Sequence, residues 1–144
     1  MSVTSSTTLR RHLQSAATSL QHARDCFTSH NLPFAIRYGL DACVGVESVE
    51  PQEHILNGRE RKDYVSLRYQ VHMTYMQILI GRAEQILTTH HATPGDLEEA
   101  GRRLTSARYY ATKERIPLRR QINGLLRRVA EAQKTLKTPL EIIP

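Results

Sequence analysis

Apolar residues near the start of the chain recur at alternating intervals of four and three, the spacing of one face of an α-helix. The series consists of Leu9, Leu13, Ala16, Leu20, Ala23 and Phe27. It predicts a first helix over residues 7–29, ended before Pro33, since proline disfavours helical geometry in the residue that precedes it. A second helix then begins at Pro33 and extends to Ser48. Its inner face carries residues that let another helix approach closely, namely Ala35, Gly39, Ala42 and Val46.

A third and longer helix is predicted over residues 59–90. It is preceded by a turn at Glu50-Pro51 and by one extra helical turn over residues 52–56, which ends at Asn57-Gly58. Its main apolar stripe is made by Tyr64, Leu67, Val71, Tyr75, Ile78, Leu79, Ala83 and Ile86, and it is broadened by Val65, Met73, Met76 and Ile80. A helix that is apolar over most of its circumference has neighbours on several sides. We therefore expect this helix to be the central one.

Two further helices are predicted in the C-terminal third. Thr93, Pro94 and Asp96 form a helix start with a capping pattern, and the stripe that follows is Leu97, Ala100, Leu104, Ala107 and Ala111. Pro117 breaks this helix and opens a fifth one. The fifth helix carries Leu118, Ile122, Leu125, Val129, Ala132 and Leu136 on one side. No segment alternates with a period of two residues, so the fold class is predicted to be all-α.

Two pairs of these helices resemble the helical hairpins of the tetratricopeptide-repeat family. In the first pair, small residues stand at matching intervals of twelve and seven, at Ala23, Ala35 and Ala42. A second hairpin, from the end of the third helix into the fourth, repeats the pattern with Leu87, Thr88, Ala100 and Ala107. The chain departs from the family at Cys26, where an aromatic residue is preferred, and at Pro51, because the family's late proline would fall at Glu47.

The resemblance covers about half of the chain. It implies stacked helical hairpins around a long central helix, and a scaffold or adaptor that receives a peptide or a helix in a groove. The family's peptide-clamping residues are not evident in this chain. An ordinary five-helix bundle is the other interpretation, because alanines on helix faces also serve packing alone.

Length and composition favour a single helical domain over residues 1–144, with a flexible N-terminus at residues 1–6 and a C-terminal tail at residues 138–144. No apolar run approaches the length of a membrane span. Two cysteines are too few for a secreted disulfide framework. The expected location is therefore intracellular and cytoplasmic. Organellar targeting stays open, because Arg10 and Arg11 follow a Ser/Thr-rich stretch without acids.

Positive charge is concentrated at the C-terminal end. Residues 1–100 carry 9 Lys+Arg and 11 Asp+Glu, whereas residues 101–144 carry 11 Lys+Arg and 3 Asp+Glu. Eight basic residues lie off the apolar stripes of the fourth and fifth helices, namely Arg102, Arg103, Arg108, Lys113, Arg119, Arg120, Arg127 and Arg128. If these helices are antiparallel neighbours, the eight side chains form one positive strip. Arginine suits bidentate contacts with carboxylates or phosphates.

The strip predicts binding of an acidic protein surface or peptide, and hence a non-enzymatic adaptor or assembly protein. The alternative is a nucleic-acid-associated protein, in which the arginines hold phosphates and Tyr109 and Tyr110 stack on bases. A third interpretation is a solvated face that serves solubility only. Tyr38 is a further candidate for an aromatic contact with a partner. The sequence does not indicate the oligomeric state.

Motifs for catalysis or metal binding are missing from the sequence. It contains no His-Glu-x-x-His, no Cys-x-x-Cys, no glycine-rich phosphate loop and no nucleophile elbow. Cys26 and His30 are one helical turn apart, and His90 and His91 close the third predicted helix. A structural zinc site, however, needs four ligands in tight, paired spacing. We therefore expect no enzyme activity, no metal and no cofactor.

Overall fold

A computed structural model describes residues 6–137, which form five α-helices, one 3₁₀ helix and no strand. The elements are α1 (Ser6–Thr28), α2 (Leu32–Val49), the 3₁₀ helix (Glu50–Ile55), α3 (Gly58–Leu87), α4 (Pro94–Lys113) and α5 (Arg119–Lys137). The all-α prediction is confirmed. The predicted C-terminal tail, and the predicted flexible N-terminus except for Ser6, lie outside the described residues. The chain divides into two compact units within α3, between Ile78 and Leu79.

In the first unit, a residue in the left-handed conformation ends α1. His30 has a φ of 62°, and its N–H donates to the Phe27 carbonyl at 3.1 Å. The N–H of Asn31 donates to the Cys26 carbonyl at 2.8 Å, which completes a Schellman motif. The Asn31 side chain then accepts a hydrogen bond from the N–H of Phe34 and caps α2. The end of one helix and the start of the next are therefore encoded in adjacent residues.

Glycines bring α2 into close contact with its neighbours. A Cβ atom at Gly45 would lie 2.8 Å from the Cβ of Ala16 in α1. A Cβ atom at Gly39 would lie 2.6 Å from Cδ1 of Tyr75 in α3, and Tyr75 is itself buried. Both distances are shorter than any real Cβ contact. The close approach that the sequence predicted for this face of α2 is thus present at Gly39.

Two polar contacts between α1 and the first part of α3 show the relative direction of these helices. Near the start of both helices, Nε of Arg10 lies 3.1 Å from Oε2 of Glu60. Later in both helices, Nη2 of Arg24 donates to Oε1 of Gln70 at 3.4 Å. Because the two contacts follow the same order along both helices, α1 and the first part of α3 run in the same direction. The first unit is therefore an antiparallel hairpin, α1 and α2, followed by a helix parallel to α1.

The second unit contains the end of α3 with α4 and α5. Thr93 caps α4 as predicted, because its hydroxyl accepts from the N–H of Asp96 and its own N–H donates to Oδ2 of Asp96, both at 3.0 Å. The predicted α4 stripe is buried, and its members are Leu97, Ala100, Leu104, Ala107 and Ala111. Against it pack the buried residues of α5, Ile122, Leu125 and Val129. These two apolar stripes form the core of the unit.

Two predicted helix boundaries were wrong. α3 ends at Leu87 rather than at His90. The hydroxyls of Thr88 and Thr89 both donate to the Gln85 carbonyl, at 3.0 and 2.9 Å, so side chains take the acceptor that a continuing helix would need. α5 begins at Arg119 rather than at Pro117, because Pro117 lies in a turn between the two helices.

Candidate functional site

Four arginines of α5 point away from the core of the second unit. Arg119, Arg120, Arg127 and Arg128 are all exposed, and we call them the α5 arginine face. Among residues 6–137, none of the four forms an ion pair or a hydrogen bond through its guanidinium group. Their hydrogen-bond donors are therefore directed to solvent, where a carboxylate or phosphate group can reach them.

Helix geometry aligns part of the α5 arginine face. Arg120 and Arg127 are seven residues apart, which is about two turns and about 10 Å along the axis. Lys134 continues the same line after seven more residues. Arg119 and Arg128 lie on either side of this line, because a step of one residue rotates the side chain by about 100°. The four sequence-predicted residues of α5 are thus all exposed, with Arg120 and Arg127 aligned and Arg119 and Arg128 on opposite sides of that line.

The four predicted basic residues of α4 are placed differently, because each of them contacts another side chain of the protein. Arg102 lies 3.7 Å from Glu98, and both side chains are largely exposed. Nη1 of Arg108 donates to Oδ1 of Asn123 in α5 at 3.2 Å. Lys113 stands over the ring of Tyr109, with its Nζ 5.9 Å from the centroid. The structure therefore does not join all eight basic residues into one uninterrupted strip.

Arg103 is directed toward α3 and belongs to an ionic cluster. Arg82 of α3 donates from Nε and Nη2 to the two carboxylate oxygens of Glu99, both at 3.0 Å. Nε of Arg103 contacts the same carboxylate at 3.3 Å. The hydrogen bonds from Arg82 hold the pKa of Glu99 below its usual value, with a smaller contribution from Arg103, and burial opposes the shift. The cluster fixes α4 against the end of α3 within the second unit.

Sequence analysis missed this ionic cluster. Glu99 and Arg103 are four residues apart in one helix, which is a readable signal for a pair. Arg82, the stronger partner, lies in another helix, and nothing in the linear pattern connects it to Glu99. Its hydrogen bond to Glu99 raises the pKa of Arg82.

A groove runs between α4 and α5 on the outside of the second unit. It encloses about 600 Å³ and is lined by Gly101, Arg102, Thr105, Ser106, Leu126, Val129, Ala130 and Gln133. Small residues on both walls, Gly101 and Ala130, leave this space open. We call it the α4–α5 groove. Toward the start of α4 it adjoins a second depression lined by Pro94, Glu98, Gln133 and Leu136, and the Leu136 side chain is 48% exposed.

The three aromatic candidates differ in exposure. Tyr109 is 57% exposed on α4, and its ring meets the ring of Tyr110 edge-on at 5.1 Å. Tyr110 is buried, so its ring has no open face for a partner. Tyr38 lies in the first unit, where it is half-buried against His22 with ring centroids 5.0 Å apart. Only Tyr109 therefore accompanies the basic residues as an accessible ring.

The first unit has a groove of its own between α1 and α3. It encloses about 370 Å³ and is lined by Arg24, Phe27, Thr28, Tyr69, Gln70, Met73, Thr74 and Gln77. Its polar and apolar lining residues are interspersed, and the Arg24–Gln70 contact crosses it. Sequence analysis named none of these residues as a binding site. A pattern of single helices does not show which two helices leave a gap between them.

The described residues contain no group of three or more His, Cys, Asp or Glu side chains placed to hold a metal ion. Cys26 and Cys43 are not joined by a disulfide bond. Within residues 6–137, each helix is too short or too polar to cross a membrane.

Comparisons with known proteins found no match to this chain. No protein-family model matches the chain, no curated protein is significantly similar to it, and no solved structure matches its fold.

Proposed function

We propose that the protein is a non-enzymatic adaptor or assembly protein, and that its second unit binds an acidic protein surface through the α5 arginine face. The observation that carries this proposal is the set of four exposed guanidinium groups without an acidic partner among residues 6–137. A partner that supplies carboxylates would provide the charge-assisted hydrogen bonds that the chain itself does not.

The distribution of charge supports the same proposal. From Leu79 onward the chain carries 12 Lys+Arg and 7 Asp+Glu, a net charge of +5 out of the total of +6. A concentrated positive field of this kind increases the rate at which an acidic partner is captured. The helical hairpin of the first unit, with its α1–α3 groove, offers a separate surface for a scaffold role of the kind that the tetratricopeptide resemblance implies.

Nucleic-acid binding is the second candidate function, and Tyr109 is the observation that favours it. An exposed ring beside Lys113, with Arg102 about two helical turns earlier in α4, suits stacking on a base beside phosphate contacts. Against it stands the small number of aligned cations, because Arg103 and Arg108 already contact other side chains of the protein.

A charge-reversal experiment tests the proposal. In the triple variant, Arg119→Glu, Arg120→Glu and Arg127→Glu replace three exposed residues that have no internal partner, so the fold should be retained. The matched control is Arg59→Glu, Arg61→Glu and Lys62→Glu, which changes the net charge equally at exposed positions near the start of α3.

Pull-down from cell extract, with and without nuclease, is the measurement. We expect the wild type and the control triple variant to retain one protein after nuclease treatment, and the α5 triple variant to lose it. Loss of the retained material on nuclease treatment, with a steep decline of affinity in rising salt, would instead establish the nucleic-acid function. Equal retention by all three proteins would remove the α5 arginine face from the mechanism.

A further inference from the structure

The α4–α5 groove combines an apolar floor with walls of small residues. Leu126 and Val129 contribute the apolar atoms of the floor, whereas Gly101 and Ala130 keep the walls low. A Cβ atom at Gly101 would meet only Cγ1 of Val129, at 3.8 Å, which is ordinary van der Waals contact. The packing of α4 against α5 therefore does not require glycine at this position. The missing side chain leaves space on the outside of the pair.

Basic side chains border this groove on both walls. Arg102 is one of its lining residues on the α4 side. On α5, Arg127 and Lys134 stand three residues before and four residues after Ala130, and hence next to it on the helix surface. At the end nearest the turn, the Arg108–Asn123 hydrogen bond connects the two walls. The groove is thus apolar at its floor and has three basic side chains at its borders, with Glu98 beside Arg102 on α4 and Glu131 between Arg127 and Lys134 on α5.

We infer that the α4–α5 groove receives an amphipathic helix of a protein partner, with the apolar stripe of that helix on the groove floor and its Asp or Glu side chains against Arg102 and Arg127. This inference rests on the proposed function and specifies the chemistry of the acidic partner. From Ser106 back to Pro94 the groove and the adjoining depression span about 18 Å at 1.5 Å per residue, the length of a helix of about 12 residues. The exposed Leu136 side chain extends the apolar contact at that end.

Charge complementarity favours an acidic helix in this groove over a second copy of the chain or a nucleic acid. A second copy of the chain would bring another unit of net charge +5 against the same basic side chains. A nucleic-acid backbone would meet the arginines but would leave the apolar floor without a partner. Glu98 lines the adjoining depression, and its 3.7 Å contact with Arg102 joins two largely exposed side chains. Such pairs contribute little, so a carboxylate of the partner can replace it.

The inference is tested with synthetic peptides, measured by fluorescence anisotropy on the full chain. The first probe is an 18-residue peptide with leucines at helical spacing on one face and glutamates beside them. The second has the same composition in an order that gives no apolar face, and the third has Gln in place of each Glu. A 20-nucleotide single strand is the fourth probe. We expect the first probe to bind more tightly than each of the others by about tenfold or more, equivalent to about 1.4 kcal/mol.

Substitutions that fill the groove separate it from the α5 arginine face. Gly101→Leu places a side chain over the seam between α4 and α5, and it should weaken binding of the first probe by about tenfold or more. The matched control is Gly58→Leu, because a Cβ atom there meets nothing within 4 Å and Gly58 is not a lining residue of the groove. Ala130→Gln fills the groove from the exposed wall of α5 and serves as a second variant should Gly101→Leu disturb the fold.

Each outcome decides the inference. Selective binding of the first probe, lost in Gly101→Leu and Ala130→Gln but kept in Gly58→Leu, supports it. Equal binding of both acidic peptides, unchanged by the groove variants but abolished by the Arg119, Arg120 and Arg127 reversal, overturns the groove and leaves the proposed function intact. Tighter binding of the oligonucleotide than of any peptide overturns both. A dimer in sedimentation that Gly101→Leu dissociates overturns the inference, because a second copy then occupies the groove.

Discussion

Within residues 6–137, two residues hold a backbone conformation that favours glycine, and neither is glycine. His30 and Arg115 have φ values of 62° and 57°, and each follows the last residues of a helix. After Arg115, the N–H of Ile116 donates to the Ala111 carbonyl at 2.8 Å, and this hydrogen bond helps to reverse the chain between α4 and α5. Sequence analysis predicted breaks near both positions from the prolines that follow. It had no signal for the left-handed residues, because the usual signal is glycine.

Replacing Arg115 with glycine should stabilise the protein. The left-handed conformation is unfavourable for a residue with a Cβ atom, and glycine removes that cost but loses more entropy on folding. We expect Arg115→Gly to raise the free energy of unfolding by about 0.5–1 kcal/mol, measured by urea denaturation. Arg115→Ala is the control, because it removes the same charge and keeps the Cβ atom. An equal gain from alanine would contradict the explanation.

Glu99 should make part of the stability depend on pH. Its pKa is lowered in the folded protein, chiefly by the hydrogen bonds from Arg82. The contribution is therefore fully present above the pKa of the unfolded chain, near 4.5, and is lost as the pH falls through the folded value. We expect Glu99→Gln to reduce the free energy of unfolding at pH 7 by about 1–2 kcal/mol, and by less at pH 3.

Denaturation curves of the wild type and Glu99→Gln at both pH values provide the measurement. Glu98→Gln is the control, because the Glu98 side chain is 73% exposed and its contact with Arg102 is long. It should change stability at pH 7 by at most a few tenths of a kcal/mol. A loss in Glu99→Gln that is as large at pH 3 as at pH 7 would show that charge on Glu99 is not the cause.

At the level of elements, the positions of the helices follow from hydrophobic spacing, whereas their ends depend on local hydrogen bonds. The capping pattern at Thr93 was predicted because its residues are contiguous in the sequence. The early end of α3 was not predicted, since it depends on two threonine hydroxyls that take the Gln85 carbonyl. A serine or threonine inside a helical pattern does not show by itself which acceptor it will use.

The approach of α2 to α3 should be intolerant of a single added methyl group. A Cβ atom at Gly39 would lie 2.6 Å from the buried ring of Tyr75, so Gly39→Ala must displace that ring. We expect a loss of about 1–3 kcal/mol in the free energy of unfolding, despite the better helix propensity of alanine. Gly58→Ala, where a Cβ atom meets nothing within 4 Å, should be neutral or slightly stabilising. Equal effects of the two substitutions on thermal unfolding would contradict the packing explanation.

For the whole molecule, the sequence predicted where positive charge accumulates but not how much of it is available for a partner. The predicted α5 residues are exposed, because Arg120 and Arg127 recur every seven residues opposite the apolar stripe. Arg108 of α4 could not be placed, since its partner Asn123 lies in α5, whereas Arg103 pairs with Glu99 four residues earlier in the same helix. The grooves could not be predicted either, because each depends on the relative position of two helices.

Charge reversal on α5 should separate binding from folding. Arg119, Arg120 and Arg127 are exposed and have no ion pair among residues 6–137, so the triple change to Glu removes no internal contact. It lowers the formal net charge from +6 to 0. We expect the thermal unfolding midpoint to change by less than about 3 °C, which corresponds to less than about 1 kcal/mol for a chain of this size. A large decrease would reveal a structural role for these arginines.

The affinity of the acidic amphipathic peptide for the wild type, the α5 triple variant and the α3 control triple variant, measured at low and moderate salt, is the most direct test of the central claim. The account predicts binding to the wild type and the control, a loss of about tenfold or more in the α5 variant, and weaker binding as salt rises. Equal affinity of all three proteins for the peptide would contradict a binding role for the exposed arginines of α5.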